Sequence, residues 1–160
     1  MNLNKVVKQF IEENEYQKLT NKIIILRRDG ICVYSNIKSQ HESASMGALM
    51  GGLWQAGEAL LKLTHKDPQF LSFRLGFDTS SDGLYILPLK VDDQMYFLGG
   101  VFSDKNNPAK LKQQLRLLKD NLEMYLGEHA PEISEEKRDG FLFNEISDEE
   151  MDNLFSFGGV

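Results

Sequence analysis

Apolar and polar residues alternate along the chain with two different periods, and these periods predict the order of helices and strands. A first helix over residues 2–18 is predicted by apolar residues spaced along one helix face: Leu3, Val6, Val7, Phe10 and Ile11. Five later segments have the apolar, β-branched or alternating character of strands: Ile23–Leu26, Ile31–Ser35, Phe70–Phe77, Leu84–Leu89 and Gln94–Phe102.

Turn residues separate these segments and indicate how they connect. Asp29-Gly30 is a hairpin signal between the first two strands, and Asp92-Asp93 marks the turn before the last strand. Pro88 favours an edge or bulge position, since proline cannot donate a backbone hydrogen bond. A last helix begins at Pro108 and runs to about Gly127. The predicted order is α-β-β-α-β-β-β-α, an α/β domain over residues 1–127 with a five-stranded, mostly antiparallel sheet and helices packed on it.

The central helix, predicted over Ser45–Thr64, has an unusual number of glycines. Its apolar stripe consists of Met46, Leu49, Met50, Leu53, Leu60 and Leu61. Each glycine inside a helix costs about 1 kcal/mol relative to alanine, so four of them indicate close approach of another backbone. Gly47 and Gly51 lie one turn apart and are predicted to mark the place where a second copy comes near.

Charge is distributed unevenly between the predicted domain and the end of the chain. The net charge is −6, but residues from Gly127 onward carry 10 acidic and two basic side chains. The domain itself is close to neutral and has no basic cluster interleaved with aromatic residues, which argues against nucleic-acid binding. No apolar run approaches the roughly 20 residues that span a bilayer. We therefore expect a cytoplasmic protein without membrane insertion. The acidic end of the chain is expected to consist of a polar linker at 128–144 and a separate segment at 145–160.

Three stretches carry a resemblance to the roadblock family, named for the dynein light chain: IIILRRDGICVYSN, SMGALMGGLWQAGEALLK and FLSFRLGF. The resemblance covers residues 2–126. It implies a homodimer, or a pair with a related roadblock protein, built from the central helices and the third strands. It also implies a non-catalytic platform or regulator for a small Ras-like GTPase; bacterial members act on motility or polarity GTPases. The expected interface residues are Gly47, Met50, Gly51, Trp54, Phe73 and Leu75.

A ligand-sensing domain of the GAF type is the alternative, because it shares much of this element order. Such a domain encloses a pocket and has longer connections between strands. The connections in this chain are short, which favours the roadblock interpretation.

The last segment, EISDEEMDNLFSFGGV, has the pattern of a short amphipathic helix. Ser147 and Glu150 form a capping box, and Ile146 and Met151 occupy the positions of a hydrophobic staple. Met151, Leu154 and Phe155 then give one apolar face. The segment resembles the motif by which flagellar switch proteins bind a response-regulator receiver domain, and the predicted partner-binding residues are Ile146, Met151, Leu154 and Phe155. Docking on such a partner and folding back onto the domain both remain open.

No constellation of residues predicts catalysis, a metal site or a cofactor. His41, His65 and His129 lack ligand spacing, and each is expected to be solvated. Cys32 stands alone on a predicted strand, where a structural thiol is expected. Arg27 and Arg28 precede a turn, and an exposed hairpin end is their default interpretation.

Overall fold

The structure, a computed structural model, describes residues 3–19, 22–79, 81–103 and 107–129. These residues form three α-helices, α1 (Leu3–Glu13), α2 (Gln40–Thr64) and α3 (Pro108–Glu128). They also form five strands, β1 (Lys22–Arg27), β2 (Cys32–Ser35), β3 (Leu75–Asp78), β4 (Gly83–Val91) and β5 (Gln94–Phe102). Short 3-10 helices lie at Tyr16–Lys18 and Phe70–Ser72. The strands make one antiparallel sheet in the order β2-β1-β5-β4-β3, so the predicted fold class is confirmed.

Alternation along the strands divides the core between the two faces of the sheet. Ile23 and Ile25 point toward α1 and α3, whereas Ile24 and Leu26 point toward α2. The central strands β1, β4 and β5 are apolar on both faces because helices cover both. The result is three layers, with α2 on one side of the sheet and α1 with α3 on the other.

Two adjacent glycines in β5 bring a helix close to each face of the sheet. A Cβ at Gly99 would lie 2.5 Å from the Met50 sulfur of α2, and a Cβ at Gly100 would lie 2.7 Å from a Leu115 methyl of α3. Real Cβ atoms do not approach this closely, so a side chain at either position would require the Met50 or Leu115 side chain to shift. This explains why the strand contains glycine at two successive positions.

The β1–β2 hairpin forms at the predicted Asp29-Gly30 turn. Gly30 has φ 83°, a backbone conformation that favours glycine. The Arg27 amide donates to the Ile31 carbonyl at 2.8 Å, and the Ile31 amide donates to the Asp29 carboxylate at 3.1 Å.

Three predicted boundaries are wrong, each for a local reason. The first helix ends at Glu13 because Glu15 takes a left-handed backbone (φ 55°). The central helix begins at Gln40 rather than Ser45, since the Ser39 hydroxyl caps it by accepting from the Glu42 amide at 3.2 Å. The strand predicted from Phe70 begins at Leu75, after a 3-10 turn that the alternating sequence does not reveal.

Pro88 lies inside the sheet, but where one side of its strand is unpaired. On β5 it is opposite Phe97, whereas the pairing of β3 with β4 ends at Ile86. The missing amide hydrogen is therefore tolerated in a locally edge-like part of β4.

Candidate functional site

The inner face of α2 contacts the β1–β2 hairpin of the same chain through its glycines. A Cβ at Gly47 would lie 2.6 Å from the Gly30 carbonyl oxygen, and a Cβ at Gly51 would lie 3.1 Å from the Gly30 Cα. The close backbone approach inferred from these glycines exists, but the neighbouring backbone belongs to the same chain. Their presence is thus explained without a second copy, which corrects the reasoning from sequence.

Met50 and Trp54 lie on the same inner face and are each 3% exposed. The Trp54 ring lies 4.7 Å from the Phe97 ring, centroid to centroid, against the middle of the sheet. Four of the six residues expected at a dimer interface, Gly47, Met50, Gly51 and Trp54, are therefore buried within the single chain.

A buried carboxylate joins this face of α2 to the hairpin. Glu58 is 4% exposed; one oxygen accepts from the Trp54 indole at 2.7 Å and the other from the Arg28 guanidinium at 2.6 Å. The Gln55 amide donates to the Arg28 carbonyl at 3.3 Å. Because a buried charge needs a partner, Arg28 is held against α2 even though its side chain is 58% exposed.

The outer face of α2 carries exposed leucines in the pattern of a helix–helix contact. Leu49, Leu53, Leu60 and Leu63 are 70%, 40%, 63% and 85% exposed, and Ala56 between them is also exposed. These five residues, the outer seam, follow one another at steps of four, three, four and three, the spacing of a and d positions. Sequence reasoning missed the seam because it merged leucines of both faces into one stripe; the regular spacing was the available signal.

Beside the seam, α2 and the edge strand β3 enclose an apolar cleft. The α2–β3 cleft has a volume of about 150 Å³ and shares Leu60 with the seam; its other lining residues are Trp54, Gly57, Glu58, Leu61, Phe73, Arg74 and Leu75. Phe73 and Leu75, the remaining two expected interface residues, are half-buried here. Phe77 lies on the same face of β3 as Leu75 and is 58% exposed. Edge strand, cleft and seam thus form one largely apolar region of the surface.

The residues considered for chemistry are dispersed. His41 and His65 are exposed, and the His129 ring contacts the Tyr125 ring at the end of α3, with their centroids 4.2 Å apart. Cys32 is half-buried and accepts from the Ser43 hydroxyl at 3.2 Å. Among the described residues, no group of three or more His, Cys, Asp or Glu side chains is placed to hold a metal ion.

No described helix combines the length and apolar character that crossing a membrane requires. The predicted tail residues Ile146, Met151, Leu154 and Phe155 lie outside the described residues.

Comparison with known proteins identifies the fold. No protein-family model and no curated protein matches the chain. MglB of Myxococcus xanthus superposes with a TM-score of 0.62 at 14% identity, over 78% of this chain and 90% of that protein. A Roadblock/LC7 domain from Streptomyces avermitilis gives 0.56 at 16% identity, over 79% and 98%. The chain has the roadblock fold. An MglB structure described as a tetrameric arrangement also has this fold, with a TM-score of 0.61 at 16% identity, over 80% of this chain and 93% of that one.

The roadblock fold leaves the GAF-type alternative without support. In the described domain, side chains of α2 fill one face of the sheet and side chains of α1 and α3 fill the other. The close contacts at Gly99 and Gly100 place both helices directly on β5. A sensor would need an enclosed ligand cavity where these side chains pack.

Proposed function

We propose that this protein is a dimeric, non-catalytic regulator or scaffold for a small Ras-like GTPase. The roadblock fold supports a regulatory role, and the tetrameric arrangement described for an MglB of the same fold supports self-association. The observation that carries the proposal is the outer seam of α2, an apolar surface that a single chain leaves exposed.

The seam is suited to two-fold pairing. Leu49 and Leu53 precede Ala56 by seven and three residues, and Leu60 and Leu63 follow it by four and seven. Two antiparallel α2 helices crossing near Ala56 would place the leucines of each against those of the other. The small side chain at the centre permits close approach. In this arrangement the interface consists of the seam, Phe73, Leu75, Phe77 and the free edge of β3, while Gly47, Met50, Gly51 and Trp54 support α2 from behind.

Light scattering coupled to size exclusion tests the dimer. We expect the full chain to have twice its 18.3 kDa mass, and the substitutions Leu53→Glu and Leu60→Glu together to give a folded monomer. Leu117→Glu is the matched control, because Leu117 is 53% exposed on α3, on the far side of the sheet. A monomeric wild type, or a seam variant that remains dimeric, would refute the seam as the interface.

Affinity capture in two nucleotide states tests whether the protein binds a GTPase. Immobilised protein is incubated with lysate containing either a non-hydrolysable GTP analogue or GDP, and bound proteins are identified by mass spectrometry. We expect a small Ras-like GTPase to be enriched in the GTP state. Its loss from the seam variant but not from Leu117→Glu would link binding to the dimer. Equal recovery in both states, or no GTPase, would contradict the proposal.

The second partner in this proposal is a response-regulator receiver domain, on the basis of the sequence of residues 146–155. A peptide of residues 144–160 is expected to bind a phosphorylated receiver domain. Substituting Leu154→Ala and Phe155→Ala together removes most of the apolar face and should abolish that binding. A peptide that binds no receiver domain would limit the function to the GTPase.

A further inference from the structure

The strand β2 forms one edge of the sheet and is paired on one side only. In the order β2-β1-β5-β4-β3 it pairs with β1, and no other described strand lies beside it. The Asn36 amide donates to the Ile23 carbonyl at 3.2 Å. Because alternate residues of an antiparallel strand bond to the same neighbour, the backbone N–H and C=O of Ser35 point away from β1. Such an edge can accept a further strand through its backbone.

A groove runs along this edge between α1 and α2. All ten residues from Asp29 to Lys38 line it. Its two walls are rows of residues four positions apart on each helix: Asn4, Lys8 and Glu12 on α1, and Gln40, Ala44 and Ala48 on α2. Each row extends along its helix for about 12 Å, at roughly 1.5 Å per residue. An extended segment of about five residues spans about 13 Å, so the groove has the length of a short strand.

The groove has exposed apolar residues and balanced charges. Ile31 is 56% exposed, and Ala44 and Ala48 are exposed as well. The charged side chains of the groove are two cations and two carboxylates, Lys8, Lys38, Glu12 and Asp29. Both carboxylates have a cation close by, since Glu12 lies 3.8 Å from Lys8 and Asp29 lies 2.7 Å from Arg27. The groove therefore favours an uncharged segment with large apolar side chains.

An uncharged run of the required length lies at the end of the predicted linker. Residues 140–144, GFLFN, contain two phenylalanines and a leucine, and charged residues lie directly on both sides of the run. Aromatic residues in alternation, bounded by glycine and asparagine, are typical of a short strand. In a strand, Phe141 and Phe143 point to the same side and lie about 6.6 Å apart. Ala44 and Ala48 lie about 6 Å apart along α2, so each small side chain leaves room for one ring.

The end of α3 lies close to the groove. The Tyr125 ring is 4.9 Å from the Phe10 ring, centroid to centroid, and Phe10 lies between Lys8 and Glu12 along α1. The last turn of α3 is therefore beside the helix that forms one wall. Packed helices lie about 8–10 Å apart, so crossing α1 to the sheet edge requires about 20 Å. Residues 130–139 can span about 33 Å, at roughly 3.3 Å per residue.

The geometry points to the edge of β2 as the docking site for residues 140–144 of the same chain, which join the sheet as a sixth strand. Phe141 and Phe143 pack on Ala44 and Ala48, and the added backbone pairs with Ser35. This inference does not rest on the GTPase or on the dimer, because β2 and β3 are at opposite edges of the sheet. It also shortens the predicted linker to 130–139, so the segment at 145–160 begins at the domain surface.

Hydrogen–deuterium exchange of the full chain, measured by mass spectrometry, tests the added strand. We expect the amides of residues 141–144 to exchange at least about tenfold more slowly in the wild type than in Ala44→Glu, whose carboxylate occupies the groove. Ala109→Glu is the matched control, because Ala109 is also an exposed helix alanine but lies outside the groove. Slow exchange should remain in the control. Equal exchange in the wild type and Ala44→Glu, or in the two variants, would overturn the assignment.

Cys32, the single cysteine of the chain, reports the same contact from the side of the groove. Its thiol is half-buried and lines the groove. Modification by N-ethylmaleimide should be about tenfold faster when Phe141→Ser and Phe143→Ser are introduced together, because the covering segment then leaves. Phe155→Ser with Phe157→Ser removes two rings at the same spacing from the same end of the chain and should leave the rate unchanged. The same rate in both double variants would contradict docking by residues 140–144.

The seam variant Leu53→Glu with Leu60→Glu separates this inference from the dimer. Slow exchange of residues 141–144 should persist in that monomer. Its loss there would mean that a second copy supplies the strand, and the assignment to the same chain would be wrong. Light scattering on the same samples reports the dimer independently, so either proposal can fail alone.

Discussion

Replacing Gly47 with alanine tests the contact between α2 and the hairpin. In an exposed helix interior this change stabilises a protein by about 1 kcal/mol, because alanine has the better helix propensity. At Gly47, however, the new methyl group would lie 2.6 Å from the Gly30 carbonyl oxygen. That atom belongs to the backbone of a turn held by the hydrogen bond from the Arg27 amide to the Ile31 carbonyl at 2.8 Å, so it cannot move aside as a flexible side chain would.

The magnitude follows from two opposing terms. Overpacking in a well-packed site typically costs about 1–3 kcal/mol, and a collision with fixed backbone belongs at the upper end. Subtracting the gain in helix propensity of about 1 kcal/mol leaves a net loss of about 2 kcal/mol. For a domain of this size, 1 kcal/mol corresponds to about 2–4 °C, so Gly47→Ala should lower Tm by about 4–8 °C.

Gly52→Ala is the matched control in the same helix. A Cβ at Gly52 meets nothing within 4 Å, and the position flanks the outer seam rather than forming part of it. We expect this variant to raise Tm by about 2–4 °C. Thermal unfolding followed by circular dichroism measures both. Shifts of the same sign in the two variants would refute the close contact between Gly47 and the hairpin.

Three further predictions concern single side chains. Ser39→Ala should cost about 1 kcal/mol of stability in urea unfolding, since it removes the cap of α2; Ser39→Asp, which can still cap, should not. Glu58→Leu leaves the Trp54 indole N–H without its acceptor and should cost about 1–3 kcal/mol, with a change in Trp54 emission; unchanged stability would contradict the buried network. Burial raises the pKa of Tyr96 above its usual value of 10.0. The contribution of Tyr96 to the free energy of unfolding is therefore complete below pH 10 and is lost as the pH rises through the pKa of the folded state. In the variant Tyr96→Phe, the midpoint of urea unfolding should therefore fall less steeply above pH 10.

The sequence was sufficient for the sheet because its strands have clear boundaries. Apolar runs and the Asp29-Gly30 turn are local signals, and four of the five strands lie within two residues of their predicted bounds. Phe70–Phe77 shows the limit: its alternation is regular, yet the first residues form a 3-10 turn. Alternation alone does not determine whether a neighbouring strand is present to pair with.

The outer seam was harder to predict from the sequence than the sheet, because α2 has two apolar faces. Met50 and Trp54 pack on the sheet, whereas Leu49 and Leu53 point outward. The choice between these faces is made by the hairpin, whose Gly30 fits only against the glycine side of the helix. That contact joins residues 17 and 21 positions apart, and one sequence does not reveal it.

The glycine contact also fixes the rotation of α2 about its own axis. A turn of one residue in either direction, about 100°, would bring the side chain of Met46 or Ala48 against the Gly30 backbone in place of Gly47. The main-chain atoms leave no room for either. The helix therefore has one rotational setting about its axis. The contact with the hairpin on its inner face thus determines the direction in which the outer face, with Leu49, Leu53, Leu60 and Leu63, meets solvent. A substitution at Gly30, whose Cβ would lie 3.1 Å from the Ala48 Cα, is therefore expected to change the direction in which the seam faces, although Gly30 is not part of the seam.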